Sequence, residues 1–516
     1  MTISWKTMGR LPAVVAMALM ASLLPAQRTV ATPATAGHDR VFRAGAFAID
    51  ITPVDFPVIV NGGMTERQAT KVVAPLHARC FVLDDGSQEI AIAIVDSCMI
   101  PRELADRAKA MASAATGIRL DHILISTTHT HSAPSVFGCL GSEPDQRYIE
   151  FLLPRIARGI ELAKRNLVRA RVGWAVGRNE ENVACRRWLM KPGIAPTNPF
   201  GGTHDDRAQM HPGYGNQNAI RPTGPVDPRI TLLSIQTVDG EPLALLANYS
   251  MHYVGAPAVS PDYFAIFCHD IARLIGVGNP AENDAGNLPR PDDAAVSKDL
   301  GTESKSKDRP FVAALSNGTS GDTWCLDHAK PRRKFDRVSV AAAVAQSAFD
   351  AYQSIEYHDW VPLVMEERLL TVDVRMPTED EVVQAKEFMA TFADRKPKNV
   401  PEVYARETVL LSAMPATREL KLQAIRLGEL GIAAIPDEVF ASTGLAIKEA
   451  SPLKPTMVIS LANGNEGYIP PPEQHALGGY TTWRARTSCL EVEAEPKIRH
   501  AVLELIDEVA NRRGAE

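Results

Sequence analysis

Apolar and polar positions fall along this chain in short alternating blocks that read as strands and helices taking turns. Cys80-Phe-Val-Leu-Asp84, the pair Asp85-Gly86 and Glu89-Ile-Ala-Ile-Ala-Ile-Val-Asp96 predict a hairpin, because a D-G pair between apolar runs suits a tight turn. The second of these strands is almost wholly apolar and is expected at the centre of a sheet. Leu104, Ala108 and Met111 share one helical face, predicting a helix over 102–115 that returns the chain to the apolar run after His122. The three elements together read as a β-α-β crossover.

The same logic recurs downstream. A helix is expected over 148–166, with Leu152, Ile156, Ile160 and Ala163 inward and Pro154 either in its first turn, for a start near Leu153, or kinking it. Strands follow at 170–176, 230–236 and 242–252, the last two joined by an Asp239-Gly240 turn, and a third apolar run covers 313–324. Helices are predicted at 338–352, 379–390 and 497–511, and strands at 361–374, 423–427, 431–435 and 457–461. Two stretches, 192–228 and 277–309, are rich in Gly, Pro and Asn without apolar period, and read as loops covering a site. The pattern predicts an α/β fold with a large mixed sheet flanked by helices. No fixed repeat or low-complexity linker divides it, so residues 37–516 are expected to form one domain.

Composition changes this picture in three places. Lys6 and Arg10 precede an apolar run over 11–24 and the small residues Ala34-Thr-Ala36, which is a secretory signal pattern over 1–36 and predicts a secreted or periplasmic protein. An uncleaved anchor is the alternative. A net charge of -6, with 22% charged residues, carries no basic excess and excludes nucleic acid as the expected partner. The 7 cysteines lack C-x-x-C spacing, arguing against a cysteine metal site; the pattern leaves room for one or two disulfides after export, with at least one thiol free or intermolecular and most expected as small core residues.

Candidate chemistry sits where strands stop. His129 and His131, spaced one residue apart ahead of Pro134, would project together from a strand end, and His252, Glu438 and Tyr468 close three later apolar strands. Nitrogen and oxygen donors of this kind suit zinc. Taken singly, each also reads as structural: paired loop histidines, a satisfied core histidine, a turn carboxylate, a packed phenol.

Thr128-His-Thr-His-Ser-Ala-Pro134, Gly224-Pro-Val-Asp-Pro228, Leu243-Ala-Leu-Leu-Ala-Asn-Tyr-Ser-Met-His252, Ile435-Pro-Asp-Glu-Val439 and Gly467-Tyr468 together resemble the neutral/alkaline, non-lysosomal ceramidase family, in order and over almost the whole chain after residue 36. The resemblance implies that His129, His252, Glu438 and Tyr468 hold Zn2+, that His131 faces substrate or the developing oxyanion, and that Tyr480 lies near the scissile amide. It implies a zinc-dependent hydrolase that cleaves ceramide or another N-acyl lipid by zinc-bound hydroxide attack, in transient contact with a membrane surface. Three departures stand out. Gly321-Asp-Thr-Trp324-Cys puts tryptophan where the family carries a serine, with Ser320 and Thr323 as neighbouring hydroxyls. Arg186-Arg187 leaves the family arginine ambiguous, and the expected C-terminal β-sandwich is absent from this sequence. A zinc hydrolase of a different amide or ester, and a non-catalytic envelope-binding protein of the same fold, are the competing readings.

Overall fold

In the strand His77–Asp84 every residue is buried, and successive side chains enter different cores: Ala78, Cys80 and Val82 pack with helices, Phe81 and Leu83 with a second sheet. That is why its sequence is continuously apolar. The computed structural model describes residues 40–195, 197–201, 206–277 and 310–512; the signal segment expected at 1–36 lies outside the described residues.

The strand belongs to an eight-stranded sheet, whose order from one edge is Val312–Asn317, Pro242–Tyr249, Arg229–Thr237, Val168–Arg178, Arg43–Asp50, His77–Asp84, Glu89–Val95 and Ile123–Thr127. Neighbours are antiparallel except at the two edges, where Glu89–Val95 pairs parallel with Ile123–Thr127 and Pro242–Tyr249 pairs parallel with Val312–Asn317. Each edge is therefore a hairpin followed by a crossover, through the helix Arg102–Thr116 on one side and Asp262–Ile275 on the other. The halves meet through only two register pairs, Arg43 with Arg169 and Ala44 with Val168.

A four-stranded sheet, Leu363–Asp373, Thr417–Leu427, Leu430–Ala434 and Thr456–Ile459, packs against the first through Leu363, Met365, Ile425, Ile432 and Met457. The helices Ala441–Ala450 and Ala494–Asn511 cover its far face, and Gln146–Arg165 and Arg337–Tyr352 join the two crossover helices over the first sheet. The result is the expected mixed α/β fold in four layers.

Several expectations need correction. The helix expected to start near Leu153 is Gln146–Arg165, begun by Asp145, whose carboxylate accepts the Tyr148 N–H; Pro154 sits mid-helix, tolerated because Leu152, Leu153 and Ile156 bury an apolar face around it. The stretch 192–228 is not all loop, since Ala208–Met210 and Ala219–Pro222 form strands on either side of Arg187–Met190. The companion stretch lies, beyond Val277, almost wholly outside the described residues. The helices Asp262–Ile275 and Val400–Ser412 lay in sequence that carried no helix prediction. All seven cysteines are buried free thiols, so the disulfides anticipated after export are absent. Among the described residues no helix is long and apolar enough to cross a membrane.

His77, beside the buried Arg79–Asp96 ion pair, is lowered to about 4 by burial and by the Arg79 charge, and burial lowers His475 to about 4 as well. The unfolded chain takes up protons near pH 6.5 that these folded imidazoles refuse. These histidines therefore contribute a loss of stability as pH drops from about 6.5 to 4, by up to about 1.4 kcal/mol per pH unit for the buried His77 and by less for the partly exposed His475. Buried carboxyls such as Asp322, raised to about 6, set the opposite trend against it. Urea midpoints measured across that window should fall less steeply in His77→Asn; parallel curves would contradict the assignment.

Candidate metal centre

The strand Ile123–Thr127 ends before its histidines, and what aims them is the turn that follows. Thr128 N–H donates to Val95 O and His129 N–H to Ser97 O, each at 2.9 Å, holding His129 at φ 68, a left-handed conformation that costs a residue with a Cβ. His129 and His131 thus come together through a strained turn, not through strand alternation, with ring centroids 4.7 Å apart. Gly62 makes room for them: a Cβ there would lie 2.4 Å from the His131 ring.

The carbonyl partners settle which nitrogens carry protons. His129 Nδ1 lies 2.8 Å from Cys98 O and His252 Nδ1 3.2 Å from Ser320 O, so each donates there and leaves its Nε2 as a bare lone pair. Those two atoms converge on Glu438 Oε2, at 3.2 Å from His129 and 3.9 Å from His252. All three side chains are buried, and their ligand atoms lie within 4.8 Å of one another. Neither His252 Nε2 nor Glu438 Oε2 has a hydrogen-bond partner among the described residues. A buried meeting of acceptors without donors is unfavourable until a cation supplies the missing charge, and two imidazoles with one carboxylate are a three-ligand set that leaves a coordination position open.

A second grouping, Cys98 with His129 and His131, fits less well. His129 has its Nδ1, the nitrogen nearer the sulfur, committed to a carbonyl, and burial keeps the Cys98 thiol protonated by raising it well above its usual range.

Tyr468 faces Glu438 directly, the two forming a register pair in a short parallel ladder with Val439 and Ile469. Gly321 permits the ladder to sit close to the neighbouring turn, because a Cβ there would lie 2.6 Å from Glu438 O. The Tyr468 hydroxyl accepts from Arg186 at 3.1 Å, while burial and the Glu438 charge push the phenol well above its ordinary pKa. Tyr480 opens the short 3-10 turn Tyr480–Thr482, its ring centroid 5.7 Å from that of Tyr468 and its phenol likewise raised by burial and Glu438. His131 stands outside the His/His/Glu group, stacked on Tyr253 at 3.8 Å between centroids, with Nδ1 on Gly62 O and Nε2 3.1 Å from His129 Nε2. Burial, then His129 and Arg186, hold it and His252 neutral by pushing both well below 6.5. The structure therefore brings together all six residues singled out in the sequence.

It also resolves what the sequence left ambiguous. Arg186 reaches the centre, whereas Arg187 holds the loop carrying Tyr480 through Gln474, Gly478 and Thr481. Of the hydroxyls near Trp324, Thr323 is committed to Ser250 O and Ser320 to Asn317 Oδ1, so neither stands free in place of the serine that the sequence resemblance leads one to expect. Trp324 donates from Nε1 to Tyr253 O at 2.9 Å, bracing the ring on which His131 stacks. Tyr253 was missed by sequence reasoning; its place next to His252 was the one signal.

A mixed α/β sandwich with a buried cluster of metal-type ligands at its strand ends defines the class of protein. No family model matches the chain. Its structure is similar to the crystal structure of neutral ceramidase from Pseudomonas aeruginosa, with a TM-score of 0.64 at 16% identity over 93% of this chain and 76% of that one. A ceramidase complexed with C2 is similar to the same extent, with a TM-score of 0.65 at 15% identity over 93% of this chain and 76% of that one. The fold is that of the neutral ceramidases.

His252→Ala should abolish bound divalent metal, and His131→Ala should retain it, measured as metal per chain by plasma mass spectrometry after dialysis. Equal loss in the two variants would overturn the separation of His131 from the ligand set.

Proposed function

We propose that the protein is an exported, zinc-dependent hydrolase of the neutral ceramidase type that cleaves the amide of an N-acyl lipid. The observation that carries this reading is the buried His129/His252/Glu438 acceptor cluster, set in a neutral ceramidase-like fold beside Tyr468, Arg186 and His131. Zinc held by His129, His252 and Glu438, with Tyr468 completing the set, would polarise an acyl oxygen and bring the pKa of a water down towards about 7.

The chain's own groups supply the rest. His131, neutral and with Nε2 unprotonated, accepts a proton from the attacking water at that atom. Carrying it, the same Nε2–H donates to the oxygen that becomes an anion, and then passes the proton to the leaving amine. Tyr480 keeps its phenolic proton and donates a second hydrogen bond to that oxygen. Arg186 is buried, and its charge faces Tyr468 and Glu438, offsetting the negative charge gathered there. A lipid substrate would be drawn from a membrane surface in transient contact.

One observation favours a second reading, a zinc hydrolase of a different amide or ester. Trp324 occupies the position of the family serine and fills space against His211 and Phe335 at centroid distances of 4.6 and 5.8 Å. Substrate recognition would then differ while the metal chemistry stays.

Purified protein should hold about one zinc per chain, release fatty acid from a fluorescent N-acylsphingosine, and lose turnover on chelation. His131→Ala should lower kcat by about 10²–10⁴-fold with metal retained. Zinc-loaded protein that leaves the N-acylsphingosine intact while cleaving simpler amides or esters would replace the first reading by the second.

A further inference from the structure

Between the two halves of the first sheet lies a half-open cavity of about 300 Å³ that none of the metal-type ligands lines. Ala48, His77 and Arg79 come from one half and Val312 and Ala313 from the other, with the helix Asp262–Ile275 as a third wall. That helix buries Phe264, Phe267 and Ile271 in its core and turns Ala265 and Ile266, both half-exposed, towards the cavity. Val73 and Pro75 add apolar surface.

The charged groups of the interior are already satisfied by one another. Arg79 is paired with Asp96 at 2.8 Å, His77 is neutral at physiological pH, and the Asp262 carboxylate accepts the N–H groups of Val254, Gly255 and Tyr263. The inner space is thus suited to an apolar body and offers nothing to a charged one. Arg337 at the cavity lining makes no close ion pair among the described residues, although its charge faces the Asp262 carboxylate, and His269, whose side chain is 50% exposed, also lines the cavity, in contact with Asp270. A half-open, mostly apolar cavity lined by a guanidinium that makes no ion pair is complementary to an amphiphile with a single anionic head.

We propose that this cavity is a second ligand site, which takes the alkyl chain of a long-chain carboxylate and pairs its head with Arg337. The site rests on this geometry and not on the hydrolase reading. Its wall is shared with the metal centre: Ser260 O accepts the Thr130 hydroxyl at 2.8 Å, Ser260 N–H donates to Ser132 O at 3.0 Å, and Asp262 holds Gly255 three residues after His252. An occupant therefore bears on both histidine turns from behind.

The test is calorimetric titration of sodium dodecanoate, and of dodecan-1-ol as the uncharged probe, into the metal-stripped full chain. One saturable dodecanoate site per chain is expected. Ala265→Phe, which fills the cavity, should weaken both ligands by about tenfold or more, and Arg337→Ala should weaken dodecanoate alone by about tenfold. Melting curves establish that each variant is folded; if Ala265→Phe is not, the charge-selective loss in Arg337→Ala decides the matter, since that residue is in no core. Absence of saturable binding, undiminished dodecanoate affinity in the folded Ala265→Phe protein, or equal response of the two probes to Arg337→Ala would each overturn the proposal. Catalysis enters none of these readouts, so a protein that binds dodecanoate but cleaves no amide would sink the hydrolase reading and leave this site standing.

Discussion

Two imidazole nitrogens and a carboxylate oxygen that point at one another away from water repel until something positive stands among them. Much of the local structure serves to hold that arrangement. Carbonyls of Cys98 and Ser320 take up the Nδ1 protons, a left-handed turn aims His129, and glycines at 62 and 321 remove the methylene that would push the turns apart. Arg186, buried beside Tyr468, balances part of the negative charge. The left-handed turn and the buried Arg186 charge cost stability, and the hydrogen bonds around them offset that cost, a pattern expected where local strain supports a site.

Most of the scaffold was legible because it depends on local rules. The D-G turns, the apolar runs that feed both sheets, and the helical periods of Arg102–Thr116, Arg337–Tyr352 and Ala494–Asn511 all appear close to where the sequence places them. The ligand-type residues were legible for a related reason: a histidine or glutamate that ends an apolar strand interrupts the pattern and can be seen without coordinates. Their convergence was not legible from spacing, since it depends on Glu438 and Tyr468 crossing from the second sheet to the edges of the first. Resemblance to a family, not periodicity, carried that step.

What escaped the sequence was decided by tertiary context. The cap at Asp145 and the packing of Leu152 and Ile156 outweigh the helix-breaking preference of Pro154. Asp262–Ile275 was hidden because Tyr263, Phe264 and Phe267 follow a polar loop and precede a stretch without period. The arginine ambiguity had no local answer at all: adjacent residues in an extended segment point opposite ways, and only the fold tells which side holds the metal-type cluster. The room left for one or two disulfides followed from compartment, and the accompanying reading of most cysteines as small core residues holds for all seven, each a buried free thiol.

The ladder that sets Glu438 opposite Tyr468 has a further meaning for how the molecule comes into being. Its strands are separated by about thirty residues, but both histidines it meets lie more than a hundred residues earlier in the chain, so the site is complete only once the chain has reached Tyr468. Loops of that length close late, after the hairpins and crossovers have formed on their own faster timescale. A cation lodged in the metal-type cluster would act as a clasp, joining segments from His129 to Tyr468 that no local element holds together.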